Sequence, residues 1–133
     1  MGSETYHEPL ELLSERTKNL HRAIVSLIEE LEAVDWYGQR AQAASDPELK
    51  AVLLHHRKEE IEHAFMNLEW LLRNDESFAE HARTYLFTQG PITEVEQAAT
   101  AAEVESGKDP RTTAPARGNG RSLGIGSLKA EGT

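Results

Sequence analysis

Leu10, Leu13, Thr17, Leu20, Ile24, Leu27, Leu31 and Val34 recur at alternating intervals of three and four residues. That spacing lines one face of an α-helix and is the pattern of helix-on-helix packing. No Pro or Gly interrupts it before Gly38, so the pattern predicts one long helix from Glu8 to Ala44. At 1.5 Å per residue such a helix spans roughly 50 Å. Gly38 is its mild flaw, costing about 1 kcal/mol relative to Ala. Ser45-Asp46-Pro47-Glu48 forms the break. Ser45 or Asp46 can cap a second helix, Pro47 suits its first turn, and Ser45 with Glu48 has the spacing of a capping box. The second helix is expected from Pro47 to Arg73, antiparallel to the first because the connection is so short. Asn74-Asp75-Glu76-Ser77 interrupts again, Phe78 to Phe87 reads as a short third helix, and Gly90-Pro91 ends it.

Apolar residues thin out beyond Pro91. Ile92 to Glu105 has helical composition without an apolar stripe. Ser106 to Arg121 is rich in Gly, Pro, Thr, Arg and Ala, the composition of a linker. A small apolar island, Leu123, Ile125 and Leu128, follows between glycines. The expected organisation is therefore a helical hairpin domain over 1–91, a flexible linker over 92–121 and a docking tail over 122–133. A two-helix hairpin is too thin to bury a core from both helices, so self-association is expected on packing grounds alone.

Charge sharpens the picture. The 133-residue chain carries 14 Lys/Arg against 23 Asp/Glu, a net charge of −9, which argues against nucleic-acid backbones and anionic membranes as partners. No apolar run is long enough to span a bilayer, and no signal-peptide pattern opens the chain. The absence of Cys excludes disulfides and thiolate metal sites, leaving carboxylate and imidazole as ligands. Glycine-rich phosphate loops, a cysteine nucleophile and a triad-like serine context are all missing.

Two clusters carry candidate chemistry. Glu60-Ile61-Glu62-His63 places a carboxylate and an imidazole one helical turn apart, and Glu29-Glu30-Leu31-Glu32 lies on the preceding helix. At about 100° per residue, Glu60 projects within roughly 20° of Leu49, Leu53 and Leu71, the middle of the expected buried arc. His63 falls roughly 60° to one side, and Glu30 falls roughly 60° from Leu27 at the rim of its own stripe. A buried, bare carboxylate costs several kcal/mol unless paired or metal-bound; Arg57 and His56 are alternative partners for Glu60. Glu29 and Glu32 project away from the stripe. One Glu plus Glu-x-x-His is half the ligand set that di-iron carboxylate sites draw from a four-helix bundle, and this chain supplies half a bundle. His55 and His56 are possible secondary ligands, although a solvated or hydrogen-bonded histidine is the plainer reading of each.

These residues resemble the encapsulated ferritins. The resemblance runs through Glu29-Glu30-Leu31-Glu32-Ala33-Val34-Asp35-Trp36-Tyr37, Glu59-Glu60-Ile61-Glu62-His63-Ala64, Leu68-Glu69-Trp70-Leu71 and Arg83-Thr84-Tyr85-Leu86-Phe87-Thr88, and separately Ser122 to Lys129 looks like an encapsulin cargo-loading peptide. It implies an all-α antiparallel two-helix hairpin with a short C-terminal helix, dimerising into a ferritin-like four-helix bundle within a ring of dimers, usually a decamer. It further implies a ferroxidase that oxidises iron(II) with oxygen at an inter-subunit di-iron centre, inside an encapsulin nanocompartment in the cytoplasm. Glu30, Glu60 and His63 match the family's iron ligands, Glu29 and Glu32 its outer acidic residues, and Trp36 and Tyr37 its near-site aromatics. Leu123, Ile125 and Leu128 would dock the shell protein. The competing reading from another class is a non-catalytic, metal-bridged helical assembly or adaptor that uses the tail to dock.

Overall fold

The computed structural model describes residues 5–107. Every regular element among them is helical: a 3-10 turn at Leu10–Leu12, then α1 (Glu15–Ala43), α2 (Pro47–Asn74), α3 (Glu76–Tyr85) and α4 (Ile92–Glu105). α1 lies along α2, α3 packs on α2, and α4 on α3. The all-α hairpin read from the sequence is the architecture observed. Leu123, Ile125 and Leu128, expected to dock a shell protein, lie outside the described residues.

The first helix begins later than its apolar pattern suggests, at Glu15 instead of Glu8. Ser14 stops it: in extended conformation, its hydroxyl accepts the Thr17 N–H at 3.1 Å and satisfies an otherwise orphaned helix-end donor. Leu10 and Leu13 keep the heptad spacing but occupy a separate 3-10 turn and its exit. At the hairpin bend Asp46, not Ser45, is the N-cap; its carboxylate accepts the Leu49 N–H at 2.7 Å, with Pro47 at the first helical position. The capping box expected between Ser45 and Glu48 does not define this helix start, because the helix begins one residue later in register. Asp75 performs the same function for α3, accepting from the Ser77 N–H at 3.0 Å, so that helix starts at Glu76.

The far end of the hairpin is closed by Arg16. Its guanidinium donates to the Asn74 carbonyl at 3.0 Å, one of the acceptors left over where α2 ends, and lies 4.0 Å from the Asp75 carboxylate. Near the bend, Gly38 lets Arg57 of α2 lie close against α1: a Cβ at Gly38 would stand 3.2 Å from Arg57 Nε.

The core is thin. Ala41, Ala64, Leu71 and Ala79 are the buried hydrophobic residues among those described. Small side chains at three of these positions let the helices approach closely, and Leu71 alone is a fully buried large side chain. Ile24 and Leu31 of the α1 stripe remain exposed, as do Leu49, Val52, Phe65, Met66 and Trp70 of α2. The stripe is thus wider than the partner helix that covers it. Ile92–Glu105, placed by composition in the linker segment, forms α4 with no buried residue.

After α3 the chain turns at Tyr85–Thr88. Leu86 has φ −67° and ψ 137°, Phe87 has φ 60°, and the Thr88 N–H reaches back to the Tyr85 carbonyl at 3.4 Å. The Thr88 hydroxyl donates to the same carbonyl at 2.7 Å. These φ values are those of a type II turn, in which the third residue is ordinarily Gly.

Candidate metal centre

Glu30 from the middle of α1 and Glu60 and His63 from α2 meet on one side of the hairpin, with one ligand atom from each within 4.8 Å of the others. The antiparallel crossing brings Glu30 to the Glu60 turn, and the three-residue step within α2 stacks His63 beside Glu60. His63 Nδ1 lies 3.1 Å from Glu60 Oε2 and 3.9 Å from Glu30 Oε2. The side chains of Glu60 and Glu30 are 21% and 26% exposed, that of His63 50%. Glu60, projected to the centre of the buried arc, is therefore half-buried in the single chain.

The electrostatics of the cluster are those of anions forced together. A hydrogen bond shared with Glu60, then desolvation and the Glu60 charge, raise the Glu30 carboxyl above its ordinary value of 4.5. The same Glu30 hydrogen bond, followed by the one from His63, lowers the Glu60 carboxyl below 4.5. Chiefly through its hydrogen bond to Glu60, His63 is raised above 6.5. Crowding of the two carboxylates thus favours the protonated form of Glu30, and the neighbouring carboxylates favour the protonated form of His63. Two carboxylates and an imidazole are hard oxygen donors with a borderline nitrogen, a set that suits iron, manganese or zinc. The donor chemistry fits a metal, and the three side chains are partly exposed.

The other residues singled out by sequence fall around this cluster. Glu29 and Glu32 are exposed on α1, on either side of Glu30. Trp36 is half exposed, and Tyr37 stacks on His56 with ring centroids 5.2 Å apart. The guanidinium of Arg40 lies 5.4 Å from the Tyr37 ring centroid. His55 pairs with Glu59 at 3.0 Å. Arg57, an alternative partner for Glu60, instead approaches Gly38, and Glu60 pairs with His63. Sequence reasoning missed the Tyr37–His56 stack; both residues had been noted separately, but pairing them needs the register between the two helices.

With this geometry established, comparison with known proteins gives a consistent family. The EncFtn-like family model matches residues 5–89, and the chain belongs to that family. An encapsulated ferritin-like protein from Rhodospirillum rubrum is 64% identical over 130 residues, covering 98% of this chain and 91% of the relative. A ferritin-like protein from Thermotoga maritima is 45% identical over 107 residues, covering 80% of this chain and 94% of that one. Among solved structures, a Nitrosomonas europaea protein superposes with a TM-score of 0.64 at 56% identity, over 65% of this chain and 96% of that chain. No helix among the described residues is long and apolar enough to cross a membrane.

Proposed function

We propose that this chain is a ferroxidase that oxidises iron(II) to iron(III) at a di-iron centre shared by two subunits, and that it serves as cargo of an encapsulin shell in iron storage and detoxification. The observation that carries this reading is the convergence of Glu30 with the Glu60-x-x-His63 pair. Di-iron carboxylate bundles use two such sets, one Glu from each of two helices and Glu-x-x-His from each of the other two. One chain supplies one set on two helices. Two copies facing each other would supply both, and would cover the apolar residues left exposed beside the cluster, Leu31 and Met66 among them.

Each group has a defined task. Glu30 and Glu60 would hold iron(II) as substrate through oxygen donors, and the His63 of each copy would supply one nitrogen donor. Carboxylates stabilise iron(III) more than iron(II), so the same donors favour loss of the electron. Paired iron supplies the electrons that oxygen accepts; the protein contributes donor spacing, negative potential and exclusion of bulk water. Glu29 and Glu32, exposed beside the cluster, would concentrate incoming cations. Trp36 and Tyr37 would form the aromatic surround.

The description of the R. rubrum relative as encapsulated, together with the apolar Leu123, Ile125 and Leu128 island, supports docking to an encapsulin shell, which would lie in the cytoplasm; pairing of two half-sites would make the dimer the unit of a larger ring. The test is oxygen consumption on addition of iron(II) to the purified chain. Catalytic turnover supports a ferroxidase, whereas stoichiometric metal uptake without oxygen consumption would favour a metal-bridged structural assembly. Removing residues 122–133 should leave turnover unchanged and abolish co-purification with a co-expressed shell protein.

A further inference from the structure

Between α2 and α3 runs an apolar groove of about 420 Å³, lined by Leu68 and Leu72 from α2 and by Ser77, Phe78, His81 and Leu86 on the α3 side. Phe78 and Leu86 remain 37% and 47% exposed. A depression of this size and apolarity is in the range of sites that hold a ligand. The next element of the chain, α4, packs on α3 without burying a residue of its own.

We infer that Leu123, Ile125 and Leu128 of the same chain cover this groove before the chain meets a shell, so that the docking segment is shielded by its own α2/α3 face and is exchanged from it on loading. Reach, charge and spacing favour this occupant. The 14 residues of α4 carry the chain roughly 21 Å beyond the turn that follows Leu86. From Gly107 to Leu123 is 16 residues, and a flexible chain of that length spans roughly 20–24 Å. The tether therefore matches the return distance, which places the apolar island at the groove with an effective concentration on the order of 1 mM.

The return path is also matched in charge. α4 presents Glu94, Glu96, Glu103 and Glu105 with no Lys or Arg. The stretch that follows carries Lys108, Arg111, Arg117 and Arg121 against Asp109 alone. To reach the groove it must pass back along α4, base beside acid. In an extended chain, Leu123 and Ile125 would stand about 6.6 Å apart on one side. The rows Leu68–Leu72 and Phe78–Ala82 repeat at about 6 Å along their helices, so the two aliphatics fit successive notches. Gly124 and Gly126 bring no side chain between the backbone and the groove.

Such a contact is a shield and not a lock. With an effective concentration of about 1 mM and a groove affinity of about 100 μM, the segment is bound roughly ten times out of eleven, and shell binding is weakened only about 10-fold. The contact itself requires no iron and no shell. Its consequence for loading rests on the proposed reading of residues 122–133 as the shell ligand.

Because the chain contains no Cys, Ser77→Cys with Ser122→Cys in the full-length protein gives a clean probe. In a glutathione redox buffer at low protein concentration, the pair should close within one chain. Its effective concentration should exceed by at least about 10-fold that of the same pair carrying Leu123→Ser, Ile125→Ser and Leu128→Ser. The three serine substitutions lie outside the helices and leave their folding untouched. Leu86→Glu in the groove should lower disulfide closure to the same extent with unchanged helicity, and should speed binding to purified shell protein by roughly 10-fold. Equal closure with and without the three aliphatics would overturn the proposal, since tethering alone would then bring the segment near. A disulfide formed only between chains would overturn it as well, because the occupant would be another copy's segment. Failure of the shell reading looks different: the aliphatic-dependent closure persists while neither wild type nor Leu86→Glu binds the shell.

Discussion

His63 on α2 lies 3.9 Å from Glu30 on α1, and this contact ties a local motif to the fold. Glu60 and His63 are neighbours because any helix makes them so; Glu30 joins them only because the antiparallel hairpin has this register. All three side chains keep some exposure to solvent, His63 the most. A cation held by all three would bridge the two helices of the chain.

Glu60→Ala or His63→Ala should therefore lower the rate of iron(II) oxidation by at least about 100-fold while leaving helicity unchanged. Neither side chain takes part in helix capping or in the small buried core. Removing Glu60 deletes its hydrogen bonds to His63 and Glu30, but these are partly exposed, so the metal-free chain should lose little stability. Stopped-flow absorbance of iron(III) formation, beside far-ultraviolet circular dichroism, checks both points; wild-type rates in either variant at saturating iron would remove the residue from the centre.

Metal affinity should fall with acid, in a sequence set by the same groups. His63 is raised above 6.5 and Glu30 above 4.5, and each must lose its proton to become a donor. Calorimetric titration with zinc(II) as a redox-inert probe should release more protons at pH 6 than at pH 8. For the metal-free fold the signs differ between partners. The raised His63 pKa contributes stability that is complete below 6.5 and lost as pH rises through the folded value. The lowered Glu60 pKa contributes stability present above 4.5 and lost as pH falls through its folded value. Raised Glu30 opposes Glu60, losing stability as it ionises. The His63–Glu60 pair is consequently most complete between these two limits, and partial exposure keeps its contribution small.

Much of this is legible in the sequence. The three-four spacing of Leu20, Ile24 and Leu27 specifies a helix, and Asp46-Pro47 a break, because helix periodicity and proline geometry are local properties. Glu60 and His63 were legible as a pair for the same reason. The start of α1 was not: Leu10 and Leu13 continue the apolar spacing through a 3-10 turn, and the Ser14 cap is silent in a periodicity argument. Nor was the Tyr85–Thr88 turn, since Phe87 stands where the usual signal would be Gly. The half-burial of Glu60 depends on what covers α2, which a projection about a single helix axis does not contain.

The hairpin cap offers a direct comparison of neighbouring residues. Asp46 accepts the Leu49 N–H at 2.7 Å, so Asp46→Ala should cost about 1 kcal/mol. Ser45→Ala should lie within about 0.5 kcal/mol of wild type, the usual range for an exposed substitution. Chemical denaturation of the metal-free protein separates them. Equal losses at both positions would mean that the two residues share the cap in solution.

Gly38→Ala sets two effects against each other. Alanine removes a helix-interior glycine and should gain up to about 1 kcal/mol. The new Cβ meets Arg57 Nε at 3.2 Å, close enough that the guanidinium must move by a few tenths of an ångström. Arg57 reaches Gly38 with the outer part of a flexible side chain, so the adjustment is small and propensity should win by about 0.5 kcal/mol. A loss of stability on thermal melting would show that Arg57 is held rigidly and that Gly38 is required for the helix approach.

Glu29 and Glu32 provide the last test, because their proximity to the centre differs from membership of it. Both are exposed, and neither belongs to the group of ligand atoms formed by Glu30, Glu60 and His63. Exposed carboxylates attract cations through a potential that salt screens within about 8 Å at physiological ionic strength. Glu29→Ala with Glu32→Ala should therefore slow iron(II) uptake by roughly 2- to 10-fold at low salt, with the difference from wild type shrinking as salt is added. Occupancy at equilibrium, measured by metal analysis after gel filtration, should be unchanged, since the three donors remain. A double variant that loses bound metal at every salt concentration would make Glu29 or Glu32 a ligand, with a donor set larger than the single chain brings together. A variant indistinguishable from wild type at low salt would assign cation capture to another part of the acidic surface.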